Sequence, residues 1–187
     1  MREFENFPNL VAMFFARAAE RNSAPFLWHR CSDRWVSQSW TEVALQVSAL
    51  AEALKRLGIG RGDRVMLVSE NRPEWCIADL AIMAAGAVTV PTYTTNNERD
   101  HLHILQDSGA KAVIVSTAKL ARSLMPAVLR STNCKTVVGI EDIRIGQSGD
   151  VAFHEWATLL AGDPAVARAA VDARQTAVVR SDLACLI

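Results

Sequence analysis

Between residues 64 and 140 the chain repeats one unit: a short apolar run, a polar turn, then a longer stretch with helical spacing. Val65-Met66-Leu67-Val68, Val88-Thr89-Val90, Val113-Ile114-Val115 and Val137-Val138 are near-continuous apolar runs with no polar alternation. That is the pattern of strands covered on both faces. Repeated β-α-β units force a mostly parallel sheet with right-handed crossovers. Strands are expected at 64–69, 87–90, 112–116 and 136–140. Helices are expected at 73–85, with Pro73 in its first turn, at 98–107, and at 117–129 around Pro126.

The residues before this repeat read as local structure. Leu10, Met13, Phe14, Arg17 and Ala18 are spaced by three and four, so 10–20 is a helix. Strands at 26–29 and 35–39 flank a Cys31-Ser32-Asp33 turn and make a hairpin. Ser39-Trp40-Thr41-Glu42 fits the S-x-x-E capping box, which starts a second helix. Val43, Val47, Leu50, Leu54 and Leu57 give it one apolar face. Lys55 and Arg56 suit its negative end, and Gly58 the left-handed position beyond it. After the repeat, 146–150 reads as a flexible loop, and 153–160 and 165–173 as helices. Residues 181–187 read as a turn and a last apolar strand, with the loop that follows it lying past Ile187. The fold expected is α/β: a mostly parallel sheet with flanking helices, plus an N-terminal helix and short hairpin. It is expected to be an incomplete N-terminal subdomain of a larger enzyme. An unfinished sheet exposes an edge and apolar surface, so a homo-oligomer or self-association through that edge is expected.

Composition narrows the class. Half of the 187 residues are hydrophobic and 21% charged, which favours a globular core over disorder. Twenty basic residues balance twenty acidic ones, so nothing in the overall charge favours nucleic acid. The four cysteines lie far apart without a CxxC pair, as reduced, buried thiols of a cytosolic protein would. The first residues carry acids and do not form a signal peptide. The apolar stretch 76–91 is broken by Asp79 and Gly86 and falls short of the roughly 20 residues a spanning helix needs. A cytoplasmic protein without a transmembrane segment is expected, with peripheral contact to a membrane left open.

Several motifs have plain readings. Gly58-Ile59-Gly60-Arg61-Gly62 follows a helix and precedes a strand, the reverse of the phosphate-binding context. It reads as a helix exit and a turn, which disfavours a nicotinamide-dependent Rossmann enzyme. His101 and His103, two apart on a helix, are rotated by about 200° and point away from each other. No metal site is expected, and no nucleophile, base and orienting acid can be assembled, so no catalytic residue is named. Asp79 is expected to face solvent or cap a neighbour. Two loops follow strand carboxyl ends, where ligands bind in open α/β sheets. One is Glu70-Asn71-Arg72; the other, residues 92–97, carries the chain's single tyrosine. Asn71, Tyr93, Thr94 and Thr95 are the substrate-cleft candidates. Thr and Asn there also suit a turn and a helix N-cap, and both readings stand.

Ser69-Glu70-Asn71-Arg72-Pro73-Glu74-Trp75, then Ala78-Asp79-Leu80-Ala81 and Gly86-Ala87-Val88-Thr89-Val90-Pro91, resemble the N-terminal region of AMP-forming acyl-CoA synthetases. Upstream Trp40-Thr41-Glu42 and residues 58–65 match that family's earlier helix and strand entry. Downstream, residues 104–111 match its next helix and turn. The likeness runs from about Leu10 to the end. It implies that residues 1–187 are part of an AMP-binding N-terminal domain, ending before the Ser/Thr/Gly-rich loop that embraces the ATP phosphates. The family's adenine and ribose motifs and its catalytic lysine then lie outside these residues. For the whole protein the resemblance implies a two-step ligation. A carboxylate attacks the α-phosphorus of ATP, giving an acyl-adenylate and pyrophosphate, with Mg²⁺ screening charge. The thiol of CoA then displaces AMP. Residues 92–97 look most like the bacterial long-chain fatty-acid members, so fatty acid, ATP and CoA are the implied small-molecule partners. The 187 residues alone are expected to be inactive and to bind none of these tightly. The competing reading is a non-catalytic α/β module that binds a ligand or a partner.

Overall fold

The structure is a computed structural model that describes residues 6–143, 149–174 and 178–187. Its first helix begins where Asn9 accepts the Ala12 amide at 2.8 Å, satisfying an amide the helix cannot pair itself. Helix α1 (Leu10–Arg21) leads into a hairpin of β1 (Pro25–Cys31) and β2 (Arg34–Ser39), and then into α2 (Trp40–Arg56). The capping box is present: Ser39 Oγ accepts the Glu42 amide at 3.2 Å, and the Glu42 carboxylate accepts the Ser39 amide at 2.7 Å. Val43, Val47, Leu50 and Leu54 are fully buried, as their spacing requires. Phe26 stacks on Trp40 with ring centroids 3.6 Å apart, fastening the hairpin root to α2. At the far end Gly58 adopts φ +81°. The Ile59 amide reaches back to the Leu54 carbonyl at 3.0 Å, closing the helix.

The alternating part follows as β3 (Arg64–Val68), α3 (Pro73–Ala84), β4 (Val88–Thr92), α4 (Glu98–Ser108), β5 (Ala112–Val115), α5 (Ala118–Arg130) and β6 (Thr136–Gly139). It closes with β7 (Ala152–Glu155), α6 (Trp156–Leu160) and α7 (Pro164–Arg174). Five strands pair in the order β4-β3-β5-β6-β7, every pair parallel. The register sets Val68 against both Thr92 and Val115, so the loops after β3, β4 and β5 leave the same edge. Side chains alternate between two cores. Val65, Leu67, Ala112 and Ile114 pack with α1, α2, α3, α6 and α7. Met66, Val68, Val113 and Val115 pack with Leu105 of α4 and Leu124 of α5. Helices on both faces explain why the strands read as apolar runs.

Three expectations need correction. The helix expected over 153–160 is a strand and a short helix: Ala152–Glu155 pairs with β6, Val137 opposite Phe153. A free parallel edge beside β6 outweighs the local helical preference of these residues. The last strand expected at 182–187 is a single parallel bridge between Thr89 and Cys185. Thr89 donates to Ala184 at 3.0 Å and accepts from Leu186 at 2.9 Å, but Leu183 is 55% exposed and Ile187 fully so. The four thiols are free, yet only Cys134 is buried, and burial pushes it up to about 11. Cys31 sits at the hairpin turn and Cys185 in the thinly paired last segment, which leaves both exposed. Asp79, expected to face solvent or cap a neighbour, is half-buried on α3: burial raises its carboxyl above the usual range, and a hydrogen bond with the Thr89 side chain opposes the rise. The loop expected at 146–150 falls mostly outside the described residues.

Candidate functional site at the carboxyl end of the sheet

The chain winds from β3 to β4 on one side, then crosses back over β3 to β5 on the other. The crevice outside the carboxyl ends of two such strands is where open α/β sheets hold ligands. Here that crevice lies between β3 and β5. Glu70 follows β3 and Ser116 follows β5, and the Ser116 hydroxyl donates to the Glu70 carboxylate across the gap. Ser116 is fully buried, and its amide donates to the Val68 carbonyl at 3.1 Å. The Ser69 hydroxyl donates to the Glu70 carbonyl at 2.9 Å, turning the chain away from the strand.

Arg72 extends the network. Its Nε donates to Glu74 at 2.9 Å and its Nη1 to Glu141 at 2.8 Å, so it joins the loop after β3 to the loop after β6. The Glu141 amide donates to the Ser116 carbonyl at 3.0 Å, closing the circuit. Gly139 makes this possible. A Cβ there would lie 2.5 Å from Ile143 Cγ1 and 2.9 Å from the Glu141 carbonyl, so only glycine lets the loop fold back over β6. Burial raises the Glu74 carboxyl, but the Arg72 hydrogen bond, the backbone and the Arg72 and His29 charges outweigh it. The net shift is downward and Glu74 stays ionised. The Glu74 hydrogen bond raises the Arg72 guanidinium despite its burial, with Glu141 adding to the effect.

The residues named from sequence separate here. Asn71 is exposed in the loop after β3 and lines a cavity of about 330 Å³ with Arg72, Pro73, Trp75, Cys76 and the hairpin's Leu27 and Trp28. Tyr93 is 79% exposed, and Thr94 and Thr95 are exposed beside it in the loop after β4, on the other side of β3 from Ser116. None of these three borders the Asn71 cavity. The N-cap reading holds for Asn97, which accepts the Arg99 and Asp100 amides at 2.9 and 3.2 Å. His101 is 1% exposed while His103 is exposed, as opposed faces of α4 require. Gly58 and Gly62 take φ of +81° and +77° in the turn leading to β3. The sequence reading missed Ser116 and Glu141. The only signal for either was a polar residue directly after an apolar run.

Chemically, the network is spent on itself: Ser116 satisfies Glu70, and Arg72 pairs with two carboxylates. It supplies a rigid, polar wall. Among the described residues it offers no nucleophile paired with a base. A second cavity of about 350 Å³, apolar for the most part, opens between α1, the end of α3 and residues 178–184 at the amino end of β4. The polar groups converge at the carboxyl end, and the candidate site is placed there.

The family described as AMP-binding enzyme matches residues 14–187. The long-chain-fatty-acid–CoA ligase FadD15 of Mycobacterium tuberculosis is 40% identical over 111 residues, 58% of this chain and 18% of that protein. The chain therefore spans about a fifth of the length of this relative. Two solved structures share the fold. Coronafacic acid ligase from Pectobacterium brasiliense gives a TM-score of 0.72 at 20% identity, over 82% of this chain and 29% of its own. A long-chain-fatty-acid-CoA ligase (FadD1) from Archaeoglobus fulgidus gives 0.68 at 18% identity, over 87% and 32%. No described helix is long and apolar enough to cross a membrane.

Proposed function

This chain belongs to the AMP-binding enzyme family, and from that premise we propose that it is the N-terminal part of an ATP-dependent acyl-CoA ligase acting on a long-chain fatty acid. The observation that carries the substrate class is the 40% identity to a long-chain-fatty-acid–CoA ligase across 111 residues. In the reaction, a carboxylate oxygen of the fatty acid bonds to the α-phosphorus of ATP, and the bond to the pyrophosphate leaving group breaks. The CoA sulfur, losing its proton, then attacks the acyl carbonyl, and AMP departs. A carboxylate is otherwise a poor acyl donor because its charge repels nucleophiles.

Within that protein these residues form part of the AMP-binding N-terminal domain and act as scaffold. The Glu70–Ser116 and Arg72–Glu141 links hold the loops after β3, β5 and β6 in one arrangement. Asn71, Tyr93, Thr94 and Thr95 then line one wall of the acyl or nucleotide cleft. Mg²⁺ would come with ATP. Glu70, Glu74 and Glu141 are each engaged by Ser116 or Arg72, and no described group of three His, Cys, Asp or Glu could hold a metal. These residues do not fit a Mg²⁺ site, and no step is assigned to one here.

The test is ATP–pyrophosphate exchange by the protein from its native source, with fatty acids of graded chain length. Exchange that depends on a long-chain acid supports the proposal. Exchange that needs no acid overturns the fatty-acid assignment, and none with any acid leaves a non-catalytic binding module. The isolated 187 residues should give no exchange in either case. For the cleft residues, Tyr93→Ala should raise the KM for acid or ATP without lowering the melting temperature. Unchanged kinetics would remove Tyr93 from the wall.

A further inference from the structure

Exposed apolar side chains gather at the amino end of β4. Leu10 and Met13 of α1, and Val179 and Leu183 of the last segment, are between 39% and 55% exposed. All four line the cavity of about 350 Å³ there, and Met83 at the end of α3 borders it too. Exposed apolar groups collected in one concavity mark a binding surface, where scattered ones would not. The volume falls in the range of small-molecule sites, about 300–1,000 Å³.

One wall is a strap, residues 178–184, none of them buried. Polar contacts hold it in place. Asn9 donates to the Val178 carbonyl at 3.0 Å, and Arg180 donates to the Phe7 carbonyl at 2.8 and 3.2 Å and to the Asn6 side chain. Asp182 accepts from Arg61 at 2.8 and 3.1 Å.

Size and charge select the occupant. An apolar cavity of about 150 Å³ takes a benzene ring, so one of about 350 Å³ takes roughly a dozen non-hydrogen atoms. Four exposed side chains fall well short of the 20–30 residues a side, roughly, of a stable dimer, which disfavours a second copy. Two charged groups line the cavity besides these apolar ones. Asp182 is already paired with Arg61, whereas Arg180 donates only to neutral oxygens among the described residues. One guanidinium without a carboxylate partner therefore borders an apolar hollow, and a monoanion with an aliphatic tail complements both.

We infer that this cavity binds an amphiphile with a single carboxylate head and a tail of roughly ten carbons, the tail against Leu10, Met13, Met83 and Leu183 and the head on Arg180. The site lies at the opposite end of the sheet from the candidate cleft, so the ligand is held there and not converted. The inference is independent of the reaction proposed above.

Titration calorimetry of the full chain with decanoate and with decanol tests it. Decanoate is expected to bind, and decanol to bind about two- to fivefold more weakly, the share of one exposed charge pair. That comparison reads the charge without a variant. Met13→Ser with Leu183→Ser should lower the affinity for both ligands by about tenfold or more, with the melting temperature kept because both positions are exposed. Arg180→Gln should remove the preference for decanoate. Binding of neither ligand overturns the inference, as does equal affinity for the two. Binding that the Met13 and Leu183 pair leaves unchanged and Tyr93→Ala weakens also overturns it, and places the ligand in the cleft at the other end of the sheet.

Discussion

Replacing Arg72 by methionine keeps the apolar stem and removes the guanidinium that ties the loop after β3 to the loop after β6. The cost can be worked from the two bonds lost. Arg72 and Glu74 are each 25% exposed, so their charged hydrogen bond counts for about 1.5–2 kcal/mol. Glu141 is 51% exposed, and solvent screening reduces its bond to about 0.5 kcal/mol. A total near 2 kcal/mol corresponds to a fall in melting temperature of about 4–8 °C for a chain of this size. Urea unfolding of Arg72→Met, Glu74→Gln, Glu141→Gln and the two double variants isolates each coupling. The Arg72–Glu74 coupling should exceed the Arg72–Glu141 one by about 1 kcal/mol. Its pH dependence has a definite sign. The Glu74 carboxyl is lowered in the folded state, so its contribution is complete above the unfolded carboxylate value of about 4.3 and is lost as pH falls through the folded one. Couplings indistinguishable from zero, or equal at neutral pH and pH 3, would refute the clamp.

Two further perturbations follow from buried geometry. His101 is 1% exposed with no partner for Nδ1, and burial lowers its pKa, with Asp100 opposing weakly. The unfolded chain therefore binds the proton first: stability should drop as pH falls below about 6.5, and His101→Phe should flatten that slope in thermal melts. An unchanged slope would mean the ring finds a charge partner. Gly139→Ala drives a methyl into Ile143 and the Glu141 carbonyl and should cost about 1–3 kcal/mol by urea unfolding. A cost near zero would show that the loop over β6 yields freely.

What could be read from the residues was whatever local chemistry decides. Ser39 with Glu42, Gly58 past α2, and Pro73 opening α3 each act within a few residues, and the structure places them as read. The parallel sheet was legible because burial on both faces erases polar alternation. β7 was not, because Ala152–Glu155 becomes a strand only through the edge of β6. The site was legible in part. Its end of the sheet followed from the β-α order, but Glu70 and Ser116 lie 46 residues apart, and Arg72 and Glu141 lie 69 apart. No spacing rule links such pairs; the sheet does, by aligning strand ends. The reversal between β3 and β5 was hidden for the same reason, since strand order is a tertiary outcome.

That reversal has a consequence for the time course of synthesis. β3 gains its first neighbour when β4 appears, but its other edge waits for β5, since Val65 pairs with Ala112. At translation rates of about 5–20 residues per second, those 47 residues take about 2–9 s to emerge. From the appearance of β4 until β5 pairs, Met66 and Val68, later sealed beneath α4 and α5, face outward from a nascent two-stranded sheet. Ribosomes stalled just before Ala112 should carry chains that recruit hydrophobic-surface chaperones, and stalling after β6 has emerged should release them. Equal recruitment at both points would mean the second core forms by another order of events.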